Sequence, residues 1–188
     1  MRVFIVGATG VYGEALIPRL VARGDTVVAL ARDVERAAAI VVPGVELVAG
    51  DVLHDSREHL GEVMRGCDAA FHLATAIRPG ATGPDGANTT AALRTTGTQR
   101  LLDAVRAVGV RTYVQQSIVM AYVDGGDRWL DEDTPFEASA DRVAMVSPVA
   151  LRGQVRVASQ DIEAVLERRS GRHVGADLLE HGDGDEKQ

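Results

Sequence analysis

Three glycines spaced three residues apart, Gly7, Gly10 and Gly13, follow directly on the apolar run Val3-Phe4-Ile5-Val6 and open an amphipathic stretch. A strand that turns on glycine into the first turn of a helix offers unpaired backbone N–H groups and the positive end of the helix dipole, a combination that binds phosphate. In such a turn Gly7 makes the tight bend, Gly10 lets a pyrophosphate approach the backbone, and Gly13 lets the helix pack on the strand. With Ala8, Thr9, Val11 and Tyr12 between them, these residues form a dinucleotide-binding opening. A structural strand-to-helix turn can also carry glycines; the strand before, the helix after and the spacing together favour the phosphate reading.

The elements that must position this turn alternate along the chain. Strand-like apolar runs are expected over residues 3–6, 26–31, 45–49, 69–74 and 111–117. Between them lie helical patterns: 14–23, bent at Pro18 and stopped by Gly24; a short helix capped by Asp33 and running toward Ile40; one opened by Asp55 with Glu58 three residues on and closed by Gly66; and a long one over 88–108 interrupted by Gly97. Val155, Ala158, Ile162, Val165 and Leu166 fall on one face of a further helix. Alternation of this kind predicts an α/β fold, a doubly wound parallel sheet with helices on both faces in three layers, here in one domain over residues 1–175. Residues 176–188 read as an acidic tail that should be disordered.

Composition narrows the partners. The chain has 188 residues, a formal net charge of -7 and a pI near 5.2, with no clustered basic stretch, which argues against nucleic acid or an anionic membrane surface. No apolar run approaches the length of a membrane span and no charged leader precedes the first strand, so a soluble, untargeted protein is expected. Cys67 is the single cysteine and no His/Cys cluster has ligand spacing; a reducing cytoplasm and no metal are the simplest expectation.

In order along the chain stand Gly7-Ala8-Thr9-Gly10-Val11-Tyr12-Gly13, Gly50-Asp51-Val52, Phe71-His72-Leu73-Ala74, Thr96-Gly97-Thr98 with Leu101-Leu102-Asp103-Ala104, Tyr113-Val114-Gln115-Gln116-Ser117 and Leu130-Asp131-Glu132-Asp133-Thr134-Pro135. This succession resembles the short-chain dehydrogenase/reductase superfamily, in its extended or atypical branch of NAD-dependent epimerases and dehydratases, over about residues 1–170. The resemblance implies that Asp51 and Val52 frame the adenine, and that Leu73, Ala74 and Thr75 lie beside the ribose and nicotinamide at the carboxyl end of a central strand. A turn-capping role is the alternative for Asp51. His72, inside a buried strand, reads as a satisfied core histidine.

The end of the second strand selects the cofactor. An acidic side chain there holds both ribose hydroxyls of NAD, and an arginine accommodates the extra phosphate of NADP. The chain has Ala31 followed by Arg32, which favours NADP; Asp33 keeps NAD possible, and a solvated Arg32 at the mouth of a loop is the structural alternative.

Enzymes of the resembled family activate a tyrosine with a lysine four residues further along a helix, which lowers the phenol pKa for proton transfer. The tyrosines here are Tyr12, Tyr113 and Tyr122, and the single lysine is Lys187, so no Tyr-x-x-x-Lys pair exists in this sequence. Val155 and Ser159 stand where the pair belongs. Ser117 is the nearest candidate for the family's active-site serine, with a hydroxyl bonded to backbone as the alternative, and Tyr122 or a water could supply another acid. The resemblance implies further strands and a smaller C-terminal region that shape the substrate site, and at most one poor strand of that kind is expected over Arg172 to Leu179. Three readings follow: an unconventional oxidoreductase on a small carbonyl or nucleotide-linked substrate, a non-catalytic dinucleotide-binding sensor or regulatory module, or a truncated inactive product. A homodimer is expected, built on the edge of the fifth strand and the long helices near 88–108 and 149–167.

Overall fold

The computed structural model describes residues 1–39, 42–76, 89–117, 122–131 and 133–135. Five strands, β1 (Arg2–Val6), β2 (Thr26–Ala31), β3 (Val45–Ala49), β4 (Ala69–His72) and β5 (Thr112–Gln115), form one sheet in the order β3-β2-β1-β4-β5, with every pairing parallel. The helices are α1 (Val11–Ala22), α2 (Val34–Ala38), α3 (Arg57–Met64) and α4 (Thr98–Val108), with a π-helical turn (Leu93–Gly97) leading into α4.

Strand alternation sorts the apolar side chains between two cores. Val3, Ile5, Val27, Ala29, Ala69, Phe71 and Val114 meet Leu16, Ile17 and Leu20 of α1 on one face. On the other, Phe4, Val6, Val28, Leu30 and Ala70 pack against Leu60 and Met64 of α3 and Leu101, Ala104 and Val105 of α4. Both faces are dry, which is why β1 and β2 are continuous apolar runs rather than alternating ones. Each fully buried Val, Leu, Ile or Phe contributes about 1.5–3 kcal/mol.

The chain winds outward from β1 to β3, then crosses back through α3 to place β4 on the other side of β1. The strand order reverses between β1 and β4, and the crevice beyond their carboxyl ends is where open sheets of this kind bind ligands. Gly7 and Leu73, the residues that follow these strands, meet there.

Several expected boundaries move. α1 begins at Val11 rather than residue 14 and runs through Pro18 without interruption. α3 is capped by Ser56, whose Oγ accepts from the His59 N–H at 3.1 Å, and not by Asp55. Asp55 is committed elsewhere: its Oδ2 accepts from the Asp51 N–H at 2.8 Å. β4 stops at His72, and β5 occupies only Thr112–Gln115 of the expected 111–117. β2, β3 and the Asp33 cap of α2, which accepts from the Arg36 N–H, are as expected. The long helix is interrupted near Gly97, and the interruption takes the form of the π-turn. The expected helix around Val155 to Leu166 and the tail from 176 lie outside the described residues.

Candidate cofactor site

The three glycines of the first turn are required for three different reasons. Gly7 has φ +95°, and a Cβ built on it would stand 2.6 Å from the backbone nitrogen of Ala74 and 2.7 Å from the carbonyl carbon of Leu73. Gly13 is buried, and a Cβ there would lie 2.5 Å from the carbonyl carbon of Ala8. Around Gly10 the added atom would meet only the Gly7 carbonyl oxygen, at 3.4 Å. The first two glycines therefore serve close packing of protein on protein. Gly10 opens onto free space.

Gly10 donates its N–H to the Gly7 carbonyl at 3.1 Å and accepts from Glu14 at 2.9 Å, so the turn is closed by backbone and continues straight into α1. No side chain caps this helix, whose first N–H groups have no partner within the helix and carry the positive end of its dipole. Thr9, Gly10, Val11 and Tyr12 are exposed, and Ala8 is buried beneath them. Val11 is 83% exposed at the first helical position, an apolar residue without a cover of protein. The residues present fit a diphosphate: an open cradle, free N–H groups and a fixed turn.

Arg32 and Asp51 converge from the ends of β2 and β3. Arg32 is exposed. Burial pushes the Asp51 carboxyl upward, but the Leu53 N–H at 2.8 Å, the His54 ring at 3.1 Å and the nearby Arg32 charge together hold it below its ordinary value. Asp51 is thus an ionised turn cap at the mouth of the crevice. Val52 is buried beside it, in the core cluster of α3 and α4. Asp33 spends Oδ1 on the Arg36 N–H, which ties the carboxylate to α2.

Leu73 continues from β4 by donating its N–H to the Val6 carbonyl at 2.8 Å. Leu73 is buried, Ala74 and Thr75 are half-buried, and Ala76 donates its N–H to Thr90 Oγ1 at 3.2 Å, which fixes this segment to the helical residues 89–92. The crevice therefore has the glycine turn on one side and Leu73, Ala74 and Thr75 on the other.

His72 is only partly the satisfied core residue expected. Its Nε2–H donates to the Leu93 carbonyl at 3.0 Å, but Nδ1 is buried with no partner among the described residues. Burial, with the Arg94 charge nearby, pushes its pKa below the ordinary 6.5, and the Leu93 bond offsets this only in part. Ser117 departs from the backbone-bonded alternative, since its Oγ is buried and unpartnered among the described residues. Ser117 is accordingly not hydrogen-bonded to Tyr122, which is half-buried further along the chain.

A buried hydrogen-bonded chain runs from Tyr113 O–H to Gln115 Oε1 at 2.9 Å, from Gln115 Nε2–H to Thr98 Oγ1 at 2.8 Å, and from the Thr98 hydroxyl to the Leu93 carbonyl at 3.3 Å. Burial pushes the Tyr113 phenol well above its ordinary value, so it stays a neutral donor. Gly97 inside a helical pattern was the one sequence signal.

A family model described as NAD(P)H-binding matches residues 7–148. The chain belongs to the NAD(P)H-binding family. Among curated relatives it is 37% identical over 177 residues to a 3-diazoavenalumate denitrifying reductase of Streptomyces, covering 89% of this chain and 55% of that protein. Among solved structures it superposes on the Bordetella bronchiseptica enzyme WbmG, crystallised with NAD and UDP, with a TM-score of 0.64 at 19% identity over 84% of this chain and 50% of that one. A short-chain dehydrogenase/reductase superfamily protein from Agrobacterium tumefaciens with bound NAD gives 0.63 at 23% identity over 84% and 47%. The chain thus spans about half the length of these proteins. This NAD(P)H-binding family member shares the Rossmann fold of these solved structures. No helix among its described residues is long and apolar enough to cross a membrane.

Proposed function

We propose that this chain binds NADP through the glycine turn and serves as the cofactor half of a reductase whose hydride transfer does not use a Tyr-x-x-x-Lys acid. The observation that carries the reading is the open space over Gly10, flanked by packing-locked Gly7 and Gly13 and by uncapped α1. Thr9 to Gly13 hold the diphosphate, Asp51 and Val52 frame the adenine, Leu73 to Thr75 line the ribose and nicotinamide, and Arg32 meets the 2′-phosphate. The engagement of Asp33 with the Arg36 N–H supports NADP over NAD, because a capping carboxylate is less available to the ribose. A reducing, cytoplasmic setting suits the buried single thiol of Cys67.

Reduction of a carbonyl creates an alkoxide that must receive a proton; in this chain Ser117, Tyr122 or a water would have to supply it. A diazonium group needs no such donor: R–N2⁺ and hydride give R–H and N2 while NADPH becomes NADP⁺. The missing pair and the 37% identical relative that acts on a diazo compound together favour an electrophile of that kind. Following NADPH oxidation with an arenediazonium salt and with a ketone tests the reading. Turnover of the first and not the second is expected; equal turnover, or none with either, contradicts it. A non-catalytic sensor, the reading favoured by the absent pair alone, predicts binding without turnover.

A further inference from the structure

Resting on the cofactor reading above, we propose that His72 is a positioning residue for the cofactor-lining segment, clamping the end of β4 to the π-turn through its bond to the Leu93 carbonyl. The Leu93 carbonyl lies at the start of a π-turn, where the i to i+5 pattern brings it the Thr98 N–H. It also accepts from the Thr98 hydroxyl at 3.3 Å and from His72 Nε2–H at 3.0 Å. Three donors on one carbonyl fix the helix to β4 and, through Thr98 and Gln115, to β5, where Gln115 stands opposite His72 in the sheet. Single π-turns inside helices are frequent at functional sites.

The position of His72 gives the clamp its purpose. The next residues are Leu73, Ala74 and Thr75, and Ala74 is the backbone against which Gly7 is packed. The segment is held from below by His72 on Leu93 and from above by Ala76 on Thr90, one turn earlier on the same helix. Loosening the lower tie lets the lining shift relative to the glycine turn.

The orphaned Nδ1 shows that the ring is not there for packing. A carbonyl only accepts, so Nε2 carries the proton and neutral His72 leaves Nδ1 as a buried acceptor without a donor among the described residues. A leucine would fill the site without that unsatisfied atom. A histidine that costs stability and holds one bond is there for the bond.

The test measures three things in full-length wild type, H72L and H72Q: melting temperature, NADPH dissociation constant and backbone hydrogen exchange of residues 73–76. Wild type should show a neutral histidine with the proton on Nε2 by 15N NMR. H72L should melt no lower than wild type yet bind NADPH about 3- to 10-fold more weakly, with faster exchange at residues 73–76. H72Q, whose amide N–H reaches the ε position, should restore both. A purely packing role predicts wild-type binding and exchange in H72L, and that result overturns the proposal, as does an H72Q no better than H72L. Should H72L not fold, H72N, whose amide stops at the δ position, takes its place with the same criteria. If wild type binds no NADPH, the cofactor reading fails, and the exchange rates alone decide the clamp.

Discussion

Gly7 and Ala74 touch so closely that a Cβ on the first would stand 2.6 Å from the backbone nitrogen of the second, at a φ of +95°. This contact joins the turn after β1 to the segment after β4 and sets the width of the crevice between them. Gly7→Ala must distort one or the other, at a cost of about 2 kcal/mol or more. A chain of this size should lose roughly 5 °C or more of melting temperature. Calorimetric melting near the wild-type temperature would show that the turn relaxes and that the contact does not set the site.

Arg32 stands exposed beside Asp51 at the mouth of the crevice. If it meets the 2′-phosphate, Arg32→Ala should weaken NADPH by about tenfold or more and leave NADH little changed, since a charge-assisted bond is among the stronger polar contacts. Paired titrations measure it. An unchanged NADPH-to-NADH ratio removes Arg32 from the site.

His72 also links stability to pH. Its pKa is lowered in the folded protein, so the unfolded chain binds the proton first as pH falls through about 6.5. The stability that neutral His72 keeps is intact above that pH and is lost below it, by up to about 1.4 kcal/mol per pH unit for one proton. Urea unfolding of wild type and H72L between pH 7.5 and 5 should show a steeper loss in wild type. Parallel curves would mean that the fold does not lower the His72 pKa.

Much of this was legible in the residues. The apolar runs gave β2 and β3 to the residue because both are bounded by turn residues, with Asp25 before one and Gly50 after the other. The Asp33 cap was legible for the same local reason. The capping of α3 was not: Asp55 and Ser56 are both good caps, and only the tertiary bond from Asp51 N–H to Asp55 decides for Ser56. The glycine turn was readable as a motif, but the division of labour among Gly7, Gly10 and Gly13 needs Ala74 and Ala8 in place. His72 looked like an ordinary core residue because its partner is a carbonyl 21 residues away on a π-turn.

Among the described residues β5 forms one edge of the sheet, with a backbone row open to further pairing. We propose a homodimer in solution. Light scattering at micromolar concentration should give twice the chain mass, and a stable monodisperse species near 19.9 kDa would contradict it.

The central claim is that the space over Gly10 belongs to the diphosphate of a dinucleotide. Calorimetric titration of NADPH into wild type and Gly10→Val tests it most directly, because an added side chain there meets little protein and should leave the melting temperature nearly unchanged. Saturable one-site binding to wild type is expected, and none detectable to the folded variant. Equal binding by both, or no binding by wild type, would contradict it.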